Sequence, residues 1–214
     1  MTQRIAVIDY GMGNLRSVSK AVEHVAGRGA EVRVTDDPEW ILGAGRVVFP
    51  GQGAARDCMR AIGEHHLNHA ILEAARRKPF LGICMGLQVL MDFSDENDGT
   101  ELLGLLAGRV IRFENDMRGG DGLPLKIPHM GWNGVLPEQS HPLWAGIEPG
   151  ARFYFVHSYY VVPEDEDLIA ATTDYGIGFA SAAARDNLFA VQFHPEKSAG
   201  SGLRLLENFV QWEP

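Results

Sequence analysis

The sequence predicts an α/β protein in which helices flank both faces of a doubly wound, mostly parallel sheet. Short runs of β-branched and aliphatic residues alternate with segments of helical apolar spacing from the N-terminus to about residue 93. After that point, shorter apolar pieces separated by turn residues predict an antiparallel extension of the sheet. A chain of 214 residues that is 45% hydrophobic can bury one substantial core, so we expect a single domain over residues 1–214.

The first part of the chain predicts strands over residues 4–9, 31–35 and 46–49 and helices over 15–25 and 54–62. Cys58 lies on the apolar face of the second helix and is predicted to pack in the core. Gly11 and Gly13 follow the first strand, but Arg16 occupies the third glycine position of a dinucleotide fingerprint. We therefore expect an ordinary tight loop there rather than a phosphate site.

The second part of the chain predicts a polar loop over residues 94–100, strands over 110–113, 125–127, 153–161 and 188–193, a turn over 118–122, and a closing helix over 198–212. The strand over 153–161 is unusually aromatic. The closing helix has its apolar residues on one face and is expected to cover the sheet.

Charge and cysteine content exclude several classes of protein. The net charge is −9 and the longest basic run is residues 76–78, which argues against a nucleic-acid surface. Two cysteines do not make a disulfide framework, and the apolar run near the N-terminus is too short for a signal peptide or a membrane span. We expect a cytoplasmic protein whose partners are small molecules or proteins.

Three histidines lie close together after the predicted helix over 54–62. His65 and His69 have the i, i+4 spacing of metal ligands, and His66 lies between them. No third ligand or carboxylate pattern lies nearby, so we expect a solvated surface cluster without a metal. No cofactor is expected elsewhere in the chain.

Residues 79–90 change from strand period to helix period at Cys84. The apolar run over 80–83 predicts a buried strand, and Leu87, Leu90 and Met91 then recur at helical spacing. Cys84 is therefore predicted at a tight turn from strand to helix. Such a helix aims its free N–H groups and the positive end of its dipole at the sulfur.

Glycines flank Cys84 at positions 82 and 86. This spacing is typical of a strained turn that holds a nucleophile clear of its own backbone, and with cysteine it indicates acyl transfer through a thioester. The alternative is a small buried thiol between packing glycines. Parallel strands that end at Asp9, Gly51 and Cys84 should bring the segments after them to one edge of the sheet.

The last predicted strand ends in His194, Pro195 and Glu196. Proline restricts His194 to extended backbone, which fixes the direction in which its ring leaves the strand. Glu196 can hydrogen-bond one ring nitrogen so that the other faces the thiol of Cys84 as a base. By itself this segment could be an ordinary strand end, but with Cys84 it completes the set of nucleophile, base and orienting group.

Together these motifs identify a family. The segment from Gly82 to Gln88, with His194 to Glu196, resembles the class I (triad) glutamine amidotransferases, which hydrolyse glutamine to glutamate and ammonia. Three further stretches, residues 9–14, 127–133 and 155–159, resemble the glutaminase subunits of imidazole glycerol phosphate synthase in histidine biosynthesis. The resemblance spans nearly the whole chain and implies the flavodoxin-like fold of class I amidotransferases.

By resemblance, Cys84 would be the nucleophile, His194 the base and Glu196 the residue that orients the imidazole. The oxyanion would be met by the backbone N–H groups of Met85 and Gln52. The family is expected to carry an aliphatic residue at position 52, so Gln52 is a departure. It should matter little if only the backbone donates.

The resemblance also implies contacts with glutamine and with a partner. The expected glutamine-binding residues are Gly51, Gly53, Gln88, Glu96, Ser158 and Tyr159. The expected partner-interface residues are Asn14, His129, Trp132 and Tyr154, with core packing as the alternative for Trp132.

The implied partner is a (β/α)8-barrel cyclase subunit that forms a heterodimer with this chain and receives its ammonia. No membrane or nucleic-acid partner is expected. A first alternative is a glutaminase that serves another synthase, such as the one that makes pyridoxal phosphate. A second alternative is a non-catalytic regulatory module on the same fold.

Overall fold

The computed structural model describes residues 2–120 and 122–214. The strands are β1 (Gln3–Ile8), β2 (Ala30–Thr35), β3 (Arg46–Gly51), β4 (Phe80–Cys84), β5 (Phe93–Ser94), β6 (Thr100–Glu101), β7 (Gly108–Arg112), β8 (His129–Gly134), β9 (Leu136–Pro137), β10 (Arg152–His157), β11 (Tyr159–Pro163), β12 (Ile169–Asp174), β13 (Gly178–Arg185) and β14 (Leu188–Val191). The α-helices are α1 (Leu15–Ala26), α2 (Pro38–Gly43), α3 (Ala55–Glu64), α4 (Asn68–Arg77), α5 (Met85–Gln88) and α6 (Ala199–Gln211).

The central sheet has a parallel half and an antiparallel half. Strands β2, β1, β3, β4 and β14 are neighbours in that order and all run parallel. The sheet continues through β13, β11 and β7 by antiparallel pairing, with β5 and β6 at its edge and β12 and β9 branching from β13. Strands β8 and β10 form a separate two-stranded antiparallel ribbon. The predicted doubly wound sheet with an antiparallel extension is confirmed.

Alternating side chains on β1 enter two different cores. Ile5 and Val7 pack with Val22 of α1 and residues of α6 on one face of the sheet. Ile8 packs on the other face, with Cys58 of α3 and residues of α2 and α4. Both faces of β3, β4 and residues 5–8 of β1 are buried, which explains their apolar runs, whereas β2 at the edge of the sheet alternates apolar and polar residues. The prediction that Cys58 packs in the core is confirmed.

The helix after Cys84 is shorter than the apolar spacing predicted, because α5 has only one turn. The carbonyls of Val89, Leu90 and Met91 accept hydrogen bonds from the N–H groups of residues 103–106 instead of from a continuing helix. A loop distant in sequence therefore ends the helix. The apolar residues of this segment, including Leu90 and Met91, are nevertheless fully buried.

The predicted strand over 153–161 is in fact two strands that belong to different sheets. His157 pairs with His129 in the β8–β10 ribbon, whereas Tyr159 pairs with Arg112 in the central sheet. Ser158 is the residue at which the chain crosses between them.

Two other local predictions need correction. Residues 125–127 form no strand, because Pro124 and Pro128 on either side lack the N–H that a ladder needs. Helix α2 was not predicted, although Asp37 caps it by accepting a hydrogen bond from the N–H of Glu39 at 2.9 Å.

The predicted turn over 118–122 contains Asp121, which lies outside the described residues. Within that segment, the N–H of Gly122 donates to the carbonyl of Gly119 at 2.8 Å. Across the described residues, every helix is too short or too polar to cross a lipid bilayer.

Candidate active site

Cys84 is held in a strained turn where β4 ends and α5 begins. Its φ is 56°, a left-handed value that is unusual for a residue other than glycine. A Cβ on Gly86 would collide with the carbonyl oxygen of Phe49, and a Cβ on Gly82 would lie 2.9 Å from the Cβ of Ala190. Both positions need glycine because neighbouring atoms of Phe49 and Ala190 occupy the space where a Cβ would project. The spacing of the two glycines around Cys84 predicted such a tight turn.

The strands on either side of β4 bring further predicted residues to Cys84. In the sheet register, Gly51 of β3 lies opposite Cys84. On the other side β14 pairs with β4 and ends just before His194. The parallel register therefore assembles the site at one edge, although more than 100 residues separate Cys84 from His194.

His194 and Glu196 form a buried pair. Nδ1 of His194 lies 2.9 Å from Oε1 of Glu196, and both side chains are almost fully excluded from solvent. The carboxylate only accepts, so Nδ1 carries the proton of a neutral imidazole. The other ring nitrogen, Nε2, has no hydrogen-bond partner of good geometry among the described residues. His194 and the thiol of Cys84 line the same cavity.

The pKa of His194 is raised to about 10 by competing effects. Burial lowers this pKa, but the negative charge of Cys84, together with the hydrogen bond to Glu196 and the charge of Glu196, outweighs the burial and raises it. At neutral pH the imidazole therefore carries a second proton, on Nε2, when it faces a thiolate. Such a pair can supply a nucleophile and a proton donor to the same bond.

Backbone hydrogen bonds fix the position of His194. Its N–H donates to the carbonyl of Tyr154 on β10 at 2.9 Å. The hydroxyl of Ser198 donates to the His194 carbonyl at 2.6 Å and accepts from the N–H of Tyr154 at 2.9 Å. Ser198 was not assigned a role from the sequence, and it locks the segment after β14 to β10.

Gln192 is a second residue that the sequence reasoning did not assign to the site. Its Nε2 lies 3.7 Å from Sγ of Cys84, and its Oε1 accepts from Nε2 of Gln88 at 2.9 Å. Gln192 is fully buried. A lone amide inside the apolar run of the last strand was the available signal, because buried polar groups need partners.

A cavity of about 490 Å³ opens beside Cys84, within the usual size range of small-molecule sites. Most predicted catalytic, oxyanion and glutamine-binding residues line it: Gln52, Gly53, Cys84, Met85, Gln88, Glu96, Ser158, Tyr159 and His194. Glu96 also accepts a hydrogen bond from the N–H of Ala55 through Oε2 at 2.7 Å, which leaves Oε1 for another donor.

The turn after β3 is closely packed. A Cβ on Gly51 would collide with the hydroxyl of Tyr10 and lie 2.8 Å from the Cβ of Met85. Gly53 has a φ of 102°, which favours glycine. The thiol of Cys58 donates to the carbonyl of Gln52 at 3.5 Å. Cys58 of α3 thus holds one side of the turn. The glycines on both sides of Gln52 let the backbone there rotate with little steric hindrance.

The four residues predicted at a partner interface differ in exposure. Trp132 is 44% exposed and its ring lies 6.2 Å from that of the half-buried Tyr154. Asn14 is also half-buried. His129 is only 3% exposed and stacks on Phe155, so its side chain does not present a surface to a partner. That prediction needs correction, because the alternation of β8 turns His129 inward while Trp132 faces outward.

The predicted histidine cluster spans the connection from α3 to α4, with His69 in the first turn of α4. Nδ1 of His65 is 3.4 Å from a carboxylate oxygen of Asp36, and its side chain is 39% exposed. His66 and His69 are exposed. In the part of the chain that the structure describes, no three His, Cys, Asp or Glu side chains are grouped so that they could hold a metal ion.

Comparison with known proteins identifies the family. The family model described as "Glutamine amidotransferase class-I" matches residues 6–212. The chain belongs to the class I glutamine amidotransferase family. The resemblance predicted from the motifs around Cys84 and His194 is confirmed at the level of the family.

Several curated relatives of this amidotransferase share one name. The "Imidazole glycerol phosphate synthase subunit HisH" of Methylococcus capsulatus is 58% identical over 211 residues, which cover 98% of this chain and 97% of the relative. The protein of the same name from Thiobacillus denitrificans is 61% identical over 215 residues, covering 100% of this chain and 93% of the relative.

Solved structures show the same amidotransferase fold at low sequence identity. PurLQS from Thermotoga maritima matches with a TM-score of 0.71, 19% identity and coverage of 99% of each chain. A structure described as a glutamine amidotransferase matches with a TM-score of 0.70, 18% identity and coverage of 97% of each chain. At this identity the similarity supports the fold alone.

The two cysteines of this amidotransferase should differ strongly in reactivity. Burial raises the pKa of Cys58 to about 11, so only ~10⁻⁴ of it is thiolate at neutral pH. Cys84 lines the cavity and faces His194. We expect iodoacetamide to alkylate Cys84 at least ~100-fold faster than Cys58. Mass-spectrometric mapping after brief labelling measures both rates in one sample, and equal rates in the folded protein would contradict the activation of Cys84.

Proposed function

We propose that this chain is the glutaminase subunit of an imidazole glycerol phosphate synthase and acts in histidine biosynthesis. The observation that carries this proposal is the full-length identity of 58–61% to proteins named as the HisH subunit of that enzyme. The cavity beside Cys84, His194 and Glu196 supplies the chemistry that such a subunit needs. We infer that residues 1–214 act as one domain.

In the proposed reaction, Sγ of Cys84 attacks the carboxamide carbon of glutamine and forms a tetrahedral intermediate. His194 then gives the proton on Nε2 to the departing nitrogen, and the C–N bond breaks to release ammonia and leave a thioester. Water attacks the thioester, with Nε2 of His194 accepting its proton. The C–S bond breaks and glutamate leaves. Glu196 holds the imidazole through Nδ1 in both halves of the reaction.

The negative oxygen of each tetrahedral intermediate needs hydrogen-bond donors. We propose the backbone N–H groups of Met85, at the start of α5, and of Gln52, at the end of β3. The close approach of Gly51 to Met85 supports this pairing, since it brings the two backbones to the same side of Cys84. Loss of one such donor typically lowers the rate ~10²–10³-fold.

For the amino and carboxylate groups of glutamine we propose Gln88, Glu96 and the backbone of residues 158 and 159, all of which line the cavity. Among the described residues, the N–H of Ala55 donates to Oε2 of Glu96 and no donor is seen at Oε1, which can accept from an ammonium group. Gln88 is already bonded to the Tyr159 carbonyl at 3.0 Å and to Gln192. Its role is therefore to hold the wall of the site as well as to face the substrate.

We propose that the partner is a (β/α)8-barrel cyclase that binds as a heterodimer and receives the ammonia. The outward side chains of the β8–β10 ribbon support a docking surface, because Met130 is 61% exposed and Trp132 is 44% exposed. Tyr154 lies beside Trp132 and is covered by the ammonium of Lys197 at 6.0 Å. We also propose a cytoplasmic location, which the two free cysteines support.

The test is reconstitution with the cyclase subunit of the same organism. We expect a 1:1 complex by analytical ultracentrifugation and synthesis of imidazole glycerol phosphate from glutamine. The pyridoxal phosphate synthase barrel serves as the control partner and should neither bind nor receive ammonia. Activity with the control barrel instead of the cyclase would assign the chain to another synthase. Binding to the cyclase without glutamine hydrolysis would indicate a non-catalytic module.

A further inference from the structure

Two buried imidazoles form a chain of hydrogen bonds that ends at the glutamine cavity. Nδ1 of His157 lies 2.8 Å from the carbonyl oxygen of Tyr159. Nε2 of His157 lies 3.1 Å from Nδ1 of His129. Nε2 of His129 lies 3.3 Å from Nδ2 of Asn133. The reaction described above uses neither imidazole, although His157 lines the cavity.

The direction of every bond in this chain follows from groups that can only donate or only accept. The Tyr159 carbonyl only accepts, so the proton of His157 is on Nδ1 and its Nε2 accepts from Nδ1–H of His129. Asn133 is oriented independently, because its Oδ1 accepts from the N–H of Gly134 at 2.8 Å and its Nδ2 donates to the Asp174 carbonyl at 2.7 Å. Donation therefore runs from Asn133 to His129 to His157 to Tyr159.

This order requires both imidazoles to be neutral, and their surroundings keep them so. His129 lies between the rings of Phe155 at 4.8 Å and Tyr175 at 3.9 Å. Burial lowers the pKa of His129 to about 4 and that of His157 to about 3. Near neutral pH each ring therefore carries one proton, and the proton of His157 is on the nitrogen that faces the Tyr159 carbonyl.

The chain of hydrogen bonds ends at Tyr159 and fixes the backbone of this residue. Its carbonyl accepts from both His157 and Gln88, so both lone pairs are used and none remains for a substrate. The N–H of Phe113 donates to the Ser158 carbonyl at 3.1 Å, which places Tyr159 and Arg112 in a non-hydrogen-bonded pair. The N–H and carbonyl of an extended residue point to the same side, so the Tyr159 N–H also points toward Gln88 and the cavity.

We propose that His157, held in one tautomer by His129 and Asn133, is a positioning residue that aims the Tyr159 N–H at bound glutamine. The proposal rests on the glutaminase function proposed above. The break between β10 and β11 at Ser158 fits this role, because the Tyr159 carbonyl is held by the side chains of His157 and Gln88 rather than by a neighbouring strand.

A matched pair of variants isolates the one hydrogen bond. In His157→Asn the amide nitrogen occupies the place of Nδ1 and can still donate to Tyr159, whereas in His157→Gln it occupies the place of Nε2. In the complex with the cyclase, we expect the KM for glutamine to change less than about 3-fold for His157→Asn and to rise ~10-fold or more for His157→Gln. The change in kcat should be smaller, because the contact is made to glutamine before the reaction as well as during it.

The control variant is His141→Gln. His141 is another imidazole whose pKa burial lowers to about 4, but it packs on Phe189 and Trp212, away from the cavity. The KM of the His141→Gln variant for glutamine should equal that of the wild type. Equal KM values for His157→Asn and His157→Gln, or a loss confined to kcat, would overturn the proposal. Failure of the wild type to use glutamine, with ammonia-dependent synthesis intact, would instead contradict the proposed function.

A spectroscopic measurement on the wild-type protein tests the proposal even if the variants fail to fold. Proton–nitrogen correlation spectra of the wild-type chain labelled with ¹⁵N-histidine report which ring nitrogen is protonated. We expect His129 and His157 both to carry their proton on Nδ1 at neutral pH, the less common tautomer. A proton on Nε2 of either ring is incompatible with the order of donation from Asn133 to Tyr159 and would overturn the proposal.

Discussion

Replacement of Cys84 by alanine in the complex with the cyclase should abolish glutamine-dependent synthesis and leave ammonia-dependent synthesis largely intact. In the proposed function, the thiol is needed only to release ammonia, whereas the partner carries out the cyclisation. Removal of the nucleophile from a catalytic triad lowers kcat ~10⁶-fold, so residual activity should fall below detection. Steady-state synthesis with glutamine or with ammonium as the nitrogen donor measures both activities.

Ammonia-dependent synthesis is the internal control for an intact cyclase, because this activity does not need the thiol of Cys84. Co-sedimentation of the variant with the cyclase verifies binding. A similar loss of both activities in a variant that still binds would contradict the division of labour between the two subunits.

The isolated subunit should be a very poor glutaminase that the cyclase activates when a substrate analogue occupies the barrel. Free ammonia escapes, so a glutaminase that works without its synthase wastes glutamine. The turn at Gly51, Gln52 and Gly53 is a suitable switch, because glycines on both sides let the Gln52 N–H rotate toward or away from the oxyanion. A Cβ on Gly13 would lie 3.6 Å from Cα of Gly51, so the loop after β1 contacts this turn.

If the Gln52 N–H points away at rest, its absence should lower kcat by ~10²–10³ with little change in KM. Glutaminase kinetics for the subunit alone, with the cyclase, and with the cyclase plus ligand measure the effect. The iodoacetamide reactivity of Cys84 is the control, since it needs no oxyanion and should be similar in all three. Full turnover by the subunit alone would refute the switch, and a change confined to KM would indicate assembly of the binding site instead.

The parallel core and the central motif could be predicted from sequence because their signals are local. After Arg4 and Arg46, the runs that became β1 and β3 are apolar, as is the run that became β4, since both faces of these segments are buried. The glycines around Cys84 reflect contacts with Phe49 and Ala190, which any strand-to-helix turn at this position requires. The pairing of His194 with Glu196 could be predicted because these partners lie only two positions apart in the sequence.

Features that depend on distant pairing were missed. The break at Ser158 follows from His157 pairing with one sheet and Tyr159 with another, which local alternation does not reveal. The inward orientation of His129 likewise depends on the register of β8 with β10. Gln192 directly follows the apolar strand β14, and its contact with Cys84 across 108 residues is set by the pairing of β14 with β4.

The strained backbone of Cys84 has a consequence for how this position evolves. A non-glycine residue with a φ of 56° is destabilised by ~1–3 kcal/mol, and glycine would adopt this conformation without that strain. Selection for folding alone would therefore favour glycine at position 84, and only selection for chemistry retains cysteine. In a descendant whose synthase drew free ammonia from its surroundings, this position should be among the first in the turn to drift.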